Sequence, residues 1–156
     1  MIQRIQSVYL FLMTAVSGVL FFVTLATFEY TNQLELTILG IGQQNDTVFF
    51  SDTYTIPLLL LNVVMAFLPI VTIFLYKKMG LQLKMARFNL FVIAVFIAIV
   101  FMYYVPDMQK TLACNDQTTH YGFGMYAVLS EIVFNILAIR GIRKDIALIR
   151  SMDRIR

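Results

Sequence analysis

The chain has 156 residues, 60% of them hydrophobic and only 13% charged, with a formal net charge of +3. A soluble domain of this size cannot hide that much apolar surface, so the composition excludes a purely water-solvated fold and makes a bilayer part of the solvent. Cys114 is the only cysteine, which excludes an intrachain disulfide and thiol-pair redox chemistry.

No stretch is long or polar enough for a separate soluble unit, so a single membrane domain over residues 1–156 is expected. In Met1 to Gln6, Ile2 and Ile5 share one side of a helical turn and Arg4 is free to lie among headgroups. Val8 to Phe28 follows as a 21-residue apolar run. It exceeds the roughly 7–15 residues of a secretory signal core and predicts a retained first span, 8–28. Tyr9 and Tyr30 lie near its two interfaces. Thr14 and Gly18 are spaced for close approach of another helix.

Residues 29–57 form the one long polar excursion. Leu34, Leu36 and Ile38 alternate with Glu35 and Thr37, the period of a half-buried strand. Turn residues from Gly40 to Asp46 precede Thr47-Val48-Phe49-Phe50, and a β-hairpin over the outer mouth of the helices is expected. Asn45-Asp46-Thr47 matches a glycosylation sequon and reads as a bare turn.

The second span, 58–76, starts after Pro57, which suits a first helical position, and contains Pro69, which predicts a kink near Met65 and Ala66. Residues 77–87 read as a short basic loop. The third span, 88–105, carries Ala94 and Ala98 at close-packing spacing and ends at Pro106. A second outer loop covers 106–120. The fourth span, 121–139, opens with Gly122 and Gly124. The tail, 140–156, sets Ile142, Ile146, Ile149 and Met152 on one stripe against cations, as in a basic helix lying along a membrane surface. The fold class expected is therefore all-α integral membrane: a four-helix transmembrane bundle with a small extracytoplasmic β-hairpin and a C-terminal amphipathic helix.

Orientation follows from the cations. Eleven of the twelve basic residues fall on the N-terminus, the 77–87 loop and the tail, and only Lys110 lies opposite. The positive-inside rule places both termini in the cytoplasm. Lys77, Lys78, Lys84, Arg87, Arg143, Lys144, Arg150 and Arg154 are expected to contact anionic lipid, which accounts for the basic balance without nucleic acid.

Glu131 lies near the middle of the fourth span. The apolar side chains there supply roughly −3 to −5 kcal/mol towards insertion and a mid-membrane acid costs about 2.5–3.5 kcal/mol, so this helix needs partners on its Glu131 face. Asn135 is one turn away on that face, and Asn62 and Asn89 are candidate partners on other helices. No span offers a Lys or Arg at that depth. Two readings stand: a proton- or cation-carrying carboxylate of a small transporter, or a neutral acid that ties helices together. The absence of repeats or several such groups favours the second.

His120 and Asp116 have helical metal-ligand spacing but fall short of a site, and no metal or cofactor is expected. Cys114 reads as a plain outer-side thiol. No phosphate-binding loop or nucleophile–base pair is present, so an enzyme is not expected.

The opening MIQRIQSVYL, the central IFLYKKMGLQLKMARFN and the closing IRKDIALIRSMDRIR together resemble a family of four-span membrane proteins from Bacteroidota, domain-of-unknown-function family 4293. The resemblance covers the full length and implies a Gram-negative inner membrane with the outer loops in the periplasm. It carries over no catalytic residue. The layout is also similar to claudin-type proteins, whose outer-loop Trp and cysteine pair are absent here. The resulting expectation is a non-enzymatic inner-membrane accessory or assembly subunit, recognising another membrane protein or itself through hairpin and tail. The alternative is a small transporter or channel component using Glu131.

Overall fold

The computed structural model describes residues 4–29, 33–43, 54–111 and 118–153. The chain is mostly helical, with a small antiparallel sheet at one end of the helices. The elements run α1 (Arg4–Val19), β1 (Ala26–Glu29), β2 (Gln33–Leu36), β3 (Ile41–Gln43), α2 (Ile56–Phe74), α3 (Met79–Ile99), a π-helical turn (Val100–Tyr104), α4 (Val105–Thr111), β4 (Thr118–Tyr121) and α5 (Phe123–Asp153). α1 packs on α2 and α5, and α3 packs on the same two. Three stretches are long and apolar enough to cross a membrane: Ile56–Lys77, Met79–Lys110 and Phe123–Ile149. Large apolar side chains point outward from all four long helices, among them Phe11, Phe67, Phe91 and Val133.

The first segment departs from the expected span 8–28. α1 ends at Val19, and residues 26–29 are strand. The reason lies in where the backbone groups are satisfied. The Leu25 N–H donates to the Leu36 carbonyl, while Gly122 and Gly124 donate to the carbonyls of Leu25 and Thr24. An apolar run does not by itself distinguish helix from buried strand, and Leu25, Ala26 and Phe28 are core residues of the sheet.

The expected two-stranded hairpin is a four-stranded sheet of order β3-β2-β1-β4. β1 is central, with Ala26 opposite Leu36 on one side and Tyr121 on the other. Of the alternating residues, Leu36 and Ile38 are fully buried and Leu34, like Glu35 and Thr37, is half-buried; the strand stops at Leu36, so Ile38 lies beyond it. The expected return strand at 47–50 lies outside the described residues, as do the sequon, Cys114 and Asp116.

The expected basic loop 77–87 shrinks to a 3-10 turn, Leu75–Lys77, and Lys78. α3 already starts at Met79, because Leu, Gln, Lys, Met, Ala and Arg are all strong helix formers whatever their charge. Nor does Pro106 end the helical run. The Val105 N–H closes a wide turn onto the Val100 carbonyl, and Pro106 then occupies the second position of α4, where no N–H is required. Pro69 sits inside α2, which continues through it, and the Thr72 hydroxyl donates to the Leu68 carbonyl at 2.7 Å.

The fourth span and the tail form one helix. α5 has 31 residues, about 46 Å at about 1.5 Å per residue. The tail stripe is packed at its start only: Ile142 is fully buried, and with Ile139 and Ala86 it forms a small core joined by Leu83, Leu90 and Ile146, while Ile149 is exposed. Packing Ile142 and Ile146 against α3 uses the apolar area of the first turns of the tail. Gly18 has no neighbour within reach of an added Cβ, so no helix of this chain closes on the Thr14–Gly18 pair. Ala94 is likewise exposed rather than packed.

Candidate functional site

The interior polar groups hang from Ser17, which sits in the last turn of α1. A helix leaves its final carbonyls without intrahelical donors. Beyond Ser17, Leu20 N–H bonds to Val16 and Phe22 N–H to Val19, which leaves the Ser17 carbonyl to be satisfied from elsewhere. Asn62 of α2 supplies the donor, Nδ2 to the Ser17 carbonyl at 3.1 Å. The Ser17 hydroxyl in turn donates to Glu131 Oε1 at 2.6 Å. One residue thereby links α1 to both neighbours, and Ser17, Asn62 and Glu131 are all fully buried.

The second oxygens of the two partners are not satisfied. Among the described residues, Glu131 Oε2 and Asn62 Oδ1 have no hydrogen-bond partner, and neither does Asn89 Oδ1 on α3. The two amide oxygens are acceptors, and Glu131 Oε2 accepts when ionised and donates when protonated. An unmade buried bond costs about 1–3 kcal/mol.

The expected four-residue cluster is therefore only partly assembled. Glu131 and Asn62 meet through Ser17. Asn135, although one turn from Glu131, serves α3 instead: with its amide assigned so that donor meets acceptor, Nδ2 donates to the Ala86 carbonyl at 3.0 Å and Oδ1 accepts from the Leu90 N–H at 3.2 Å. Asn89 is buried at 2% exposure on the same helix.

A second clip ties α1 to α5 at the opposite end of α1. Gln6 Nε2 donates to Asp145 Oδ2, and both side chains are buried. The close approach depends on Gly141, where a Cβ would meet Gln6 Cγ at 2.8 Å. Gln82 of α3 makes the equivalent link to α2, donating to the Thr72 carbonyl at 3.2 Å.

At the sheet end, the Tyr54 hydroxyl donates to Asp107 Oδ2 at 2.5 Å and the Tyr104 hydroxyl to the Tyr54 carbonyl at 2.6 Å. Burial, then the bonded Asp107 carboxylate, push the Tyr54 phenol well above its ordinary range. His120 lies on β4 opposite Thr27. Among the described residues no group of three His, Cys, Asp or Glu side chains is placed to hold a metal.

The expected lipid-contact cations gather at the end away from the sheet. Lys77, Lys78, Lys84, Arg87, Arg143 and Lys144 are exposed. The side chains of Arg150 and Arg154 lie outside the described set. Sequence reasoning missed Ser17, Gln6 and Asp145. Ser17 is one small hydroxyl in an apolar run, and Asp145 stands among cations in a segment that read as lipid-facing.

No curated protein matches the chain. The family model described as domain of unknown function DUF4293 matches residues 2–155, and the chain belongs to that family.

Proposed function

We propose that the chain is a non-enzymatic accessory or assembly subunit of a bacterial inner membrane, crossing it four times with both termini in the cytoplasm. The observation that carries the four crossings is a pair of contacts on α5. Gln6 bonds to Asp145 and the Thr24 carbonyl accepts from Gly124. Residues 6–24 therefore travel the same distance as the 21 helical steps between Gly124 and Asp145. That distance is about 32 Å, near the ~30 Å of a hydrocarbon core. A short α1 completed by the turn that leads to Thr24 thus supports a crossing that α1 alone is too short to make.

The polar contacts of the interior support the structural reading of Glu131. Ser17, Asn62, Asn135, Gln6 and Asp145 each join one helix to another. With the interior so used, the surfaces left for partners are the sheet at one end and the basic helix ends at the other. The partner is another membrane protein or a second copy. Native extraction in mild detergent followed by size exclusion tests this reading: it expects one partner at fixed stoichiometry through the column. A chain that migrates alone as a monomer contradicts it.

A second reading is favoured by one observation, the unpartnered Glu131 Oε2. A proton- or cation-coupled component uses such an oxygen. Reconstituted protein with ion flux abolished by Glu131→Gln supports it. A Glu131→Gln protein that assembles and complements like the parent removes it.

A further inference from the structure

At the basic end, α3 begins at Met79 while α5 runs on beside it to Asp153, and an open groove of about 840 Å³ lies between them. Leu83 and Ile146 line it as partly buried apolar residues, and the exposed Arg87 and Arg143 stand at its edge. Met79 and Gly80, in the first turn of α3, line it as well. No side chain caps that turn and no acid stands in it, so its backbone amides add to the positive potential. Asp145, the acid beside Lys144 on α5, offers no counter-charge here because it is turned inward onto Gln6.

We propose that this groove is a binding site for one anionic phospholipid of the cytoplasmic leaflet, its phosphate held between Arg87 and Arg143 and its acyl stem laid on Leu83 and Ile146. Charge and polarity select the occupant. Two guanidinium groups in fork geometry suit a phosphate, and the apolar lining excludes a fully hydrated anion as the natural ligand. The apolar stretches Ile56–Lys77 and Phe123–Ile149 both end beside the groove, at headgroup depth, where anionic lipid is the abundant amphiphile. The inference rests on the membrane placement proposed above.

The test uses the full chain in a non-ionic detergent, titrated with short-chain phosphatidylglycerol, phosphatidylcholine or inorganic phosphate, with thermal unfolding as the readout. Phosphatidylglycerol is expected to raise the midpoint saturably, and the other two are not. The Arg87→Gln/Arg143→Gln protein is expected to need about tenfold more phosphatidylglycerol for the same shift. The Lys77→Gln/Lys78→Gln protein loses the same charge outside the groove and is expected to stay within about twofold. Single Arg143→Gln, at an exposed position, serves if the double variant does not fold. Equal losses in the two double variants would mean diffuse charge and overturn the site. So would an equal response to phosphate, which means a bare anion site, or to phosphatidylcholine. No shift with phosphatidylglycerol, together with an acidic protein partner lost from native extracts of the arginine variant, would assign the groove to that partner and overturn it too. Because the titration is done in detergent, a reversed orientation in the membrane leaves its outcome unchanged, so the two readings fail separately.

Discussion

Ser17 donates its hydroxyl to Glu131 at 2.6 Å across 114 positions of sequence, and the same residue's carbonyl takes the amide of Asn62. The early end of α1 is what makes this possible: a helix continuing to Phe28 would have consumed the Ser17 carbonyl internally. Ser17→Ala is therefore expected to lower stability by about 1–3 kcal/mol, since it leaves a buried carboxyl oxygen without its donor. Glu131→Gln keeps a carbonyl acceptor for Ser17 and is expected to cost less. Thermal unfolding of both variants in detergent checks the order, and a larger loss for Glu131→Gln contradicts it.

The glycines of the sheet end and of α1 should behave oppositely. A Cβ at Gly122 would meet the Thr24 carbonyl oxygen at 2.3 Å and one at Gly124 at 2.8 Å, whereas one at Gly18 meets nothing within 4 Å. The backbone at Thr24 must shift to admit alanine, with the bonds from Gly122 to Leu25 and from Gly124 to Thr24 at stake. Gly122→Ala is expected to cost about 1–3 kcal/mol. Gly18→Ala is expected to be neutral or to stabilise by up to about 1 kcal/mol. Denaturation midpoints of the two proteins decide it.

Ile142 separates a packed tail from a lipid-lying one. Its side chain is fully buried against Ile139 and Ala86, so Ile142→Ala is expected to destabilise the fold by about 2–5 kcal/mol. Removal of residues 140–156 also deletes Asp145, the partner of Gln6, and is expected to loosen α1. Protease protection of the N-terminal region reads this directly. Unchanged protection would return the tail to the membrane surface.

Tyr54 gives the sheet end an alkaline limit. Its phenol is held protonated by burial and by the bond to Asp107, so its folded value lies above its unfolded one. The stabilisation is complete below the ordinary phenol range near pH ~10 and is lost as pH rises through the raised folded value. A pH titration of unfolding is expected to show a larger loss in the parent than in Tyr54→Phe, where the buried Tyr104 phenol still contributes.

Much of the fold was legible because periodicity and length speak plainly where one rule governs. Pro57, the long apolar runs of α2, α3 and α5 and the alternation from Leu34 to Leu36 led to the right elements. Residues 20–28 did not, because apolar character is common to membrane helices and buried strands, and only the partners supplied by β2 and β4 decide between them. The cations of 77–87 and 140–156 were read as loop and surface helix. Their charge fixes which end they occupy but not their backbone state, and both segments continue long helices. Of the candidate site, Glu131 and Asn62 were legible as costly polar groups in apolar runs. Ser17, which joins them, carries no such cost in a helix and so gave no signal. The paired glycines Gly122 and Gly124 were visible, but the turn they receive was not.

Four crossings with the basic end in the cytoplasm are the centre of the proposed function. In a Cys114→Ser background, Gln43→Cys in β3 and Lys78→Cys beside the α2–α3 turn are each exposed to an impermeant thiol reagent on intact inner-membrane spheroplasts. The expected result is labelling of Gln43→Cys at once and of Lys78→Cys only after permeabilisation. Labelling of both from the same side, or the reverse order, would contradict it.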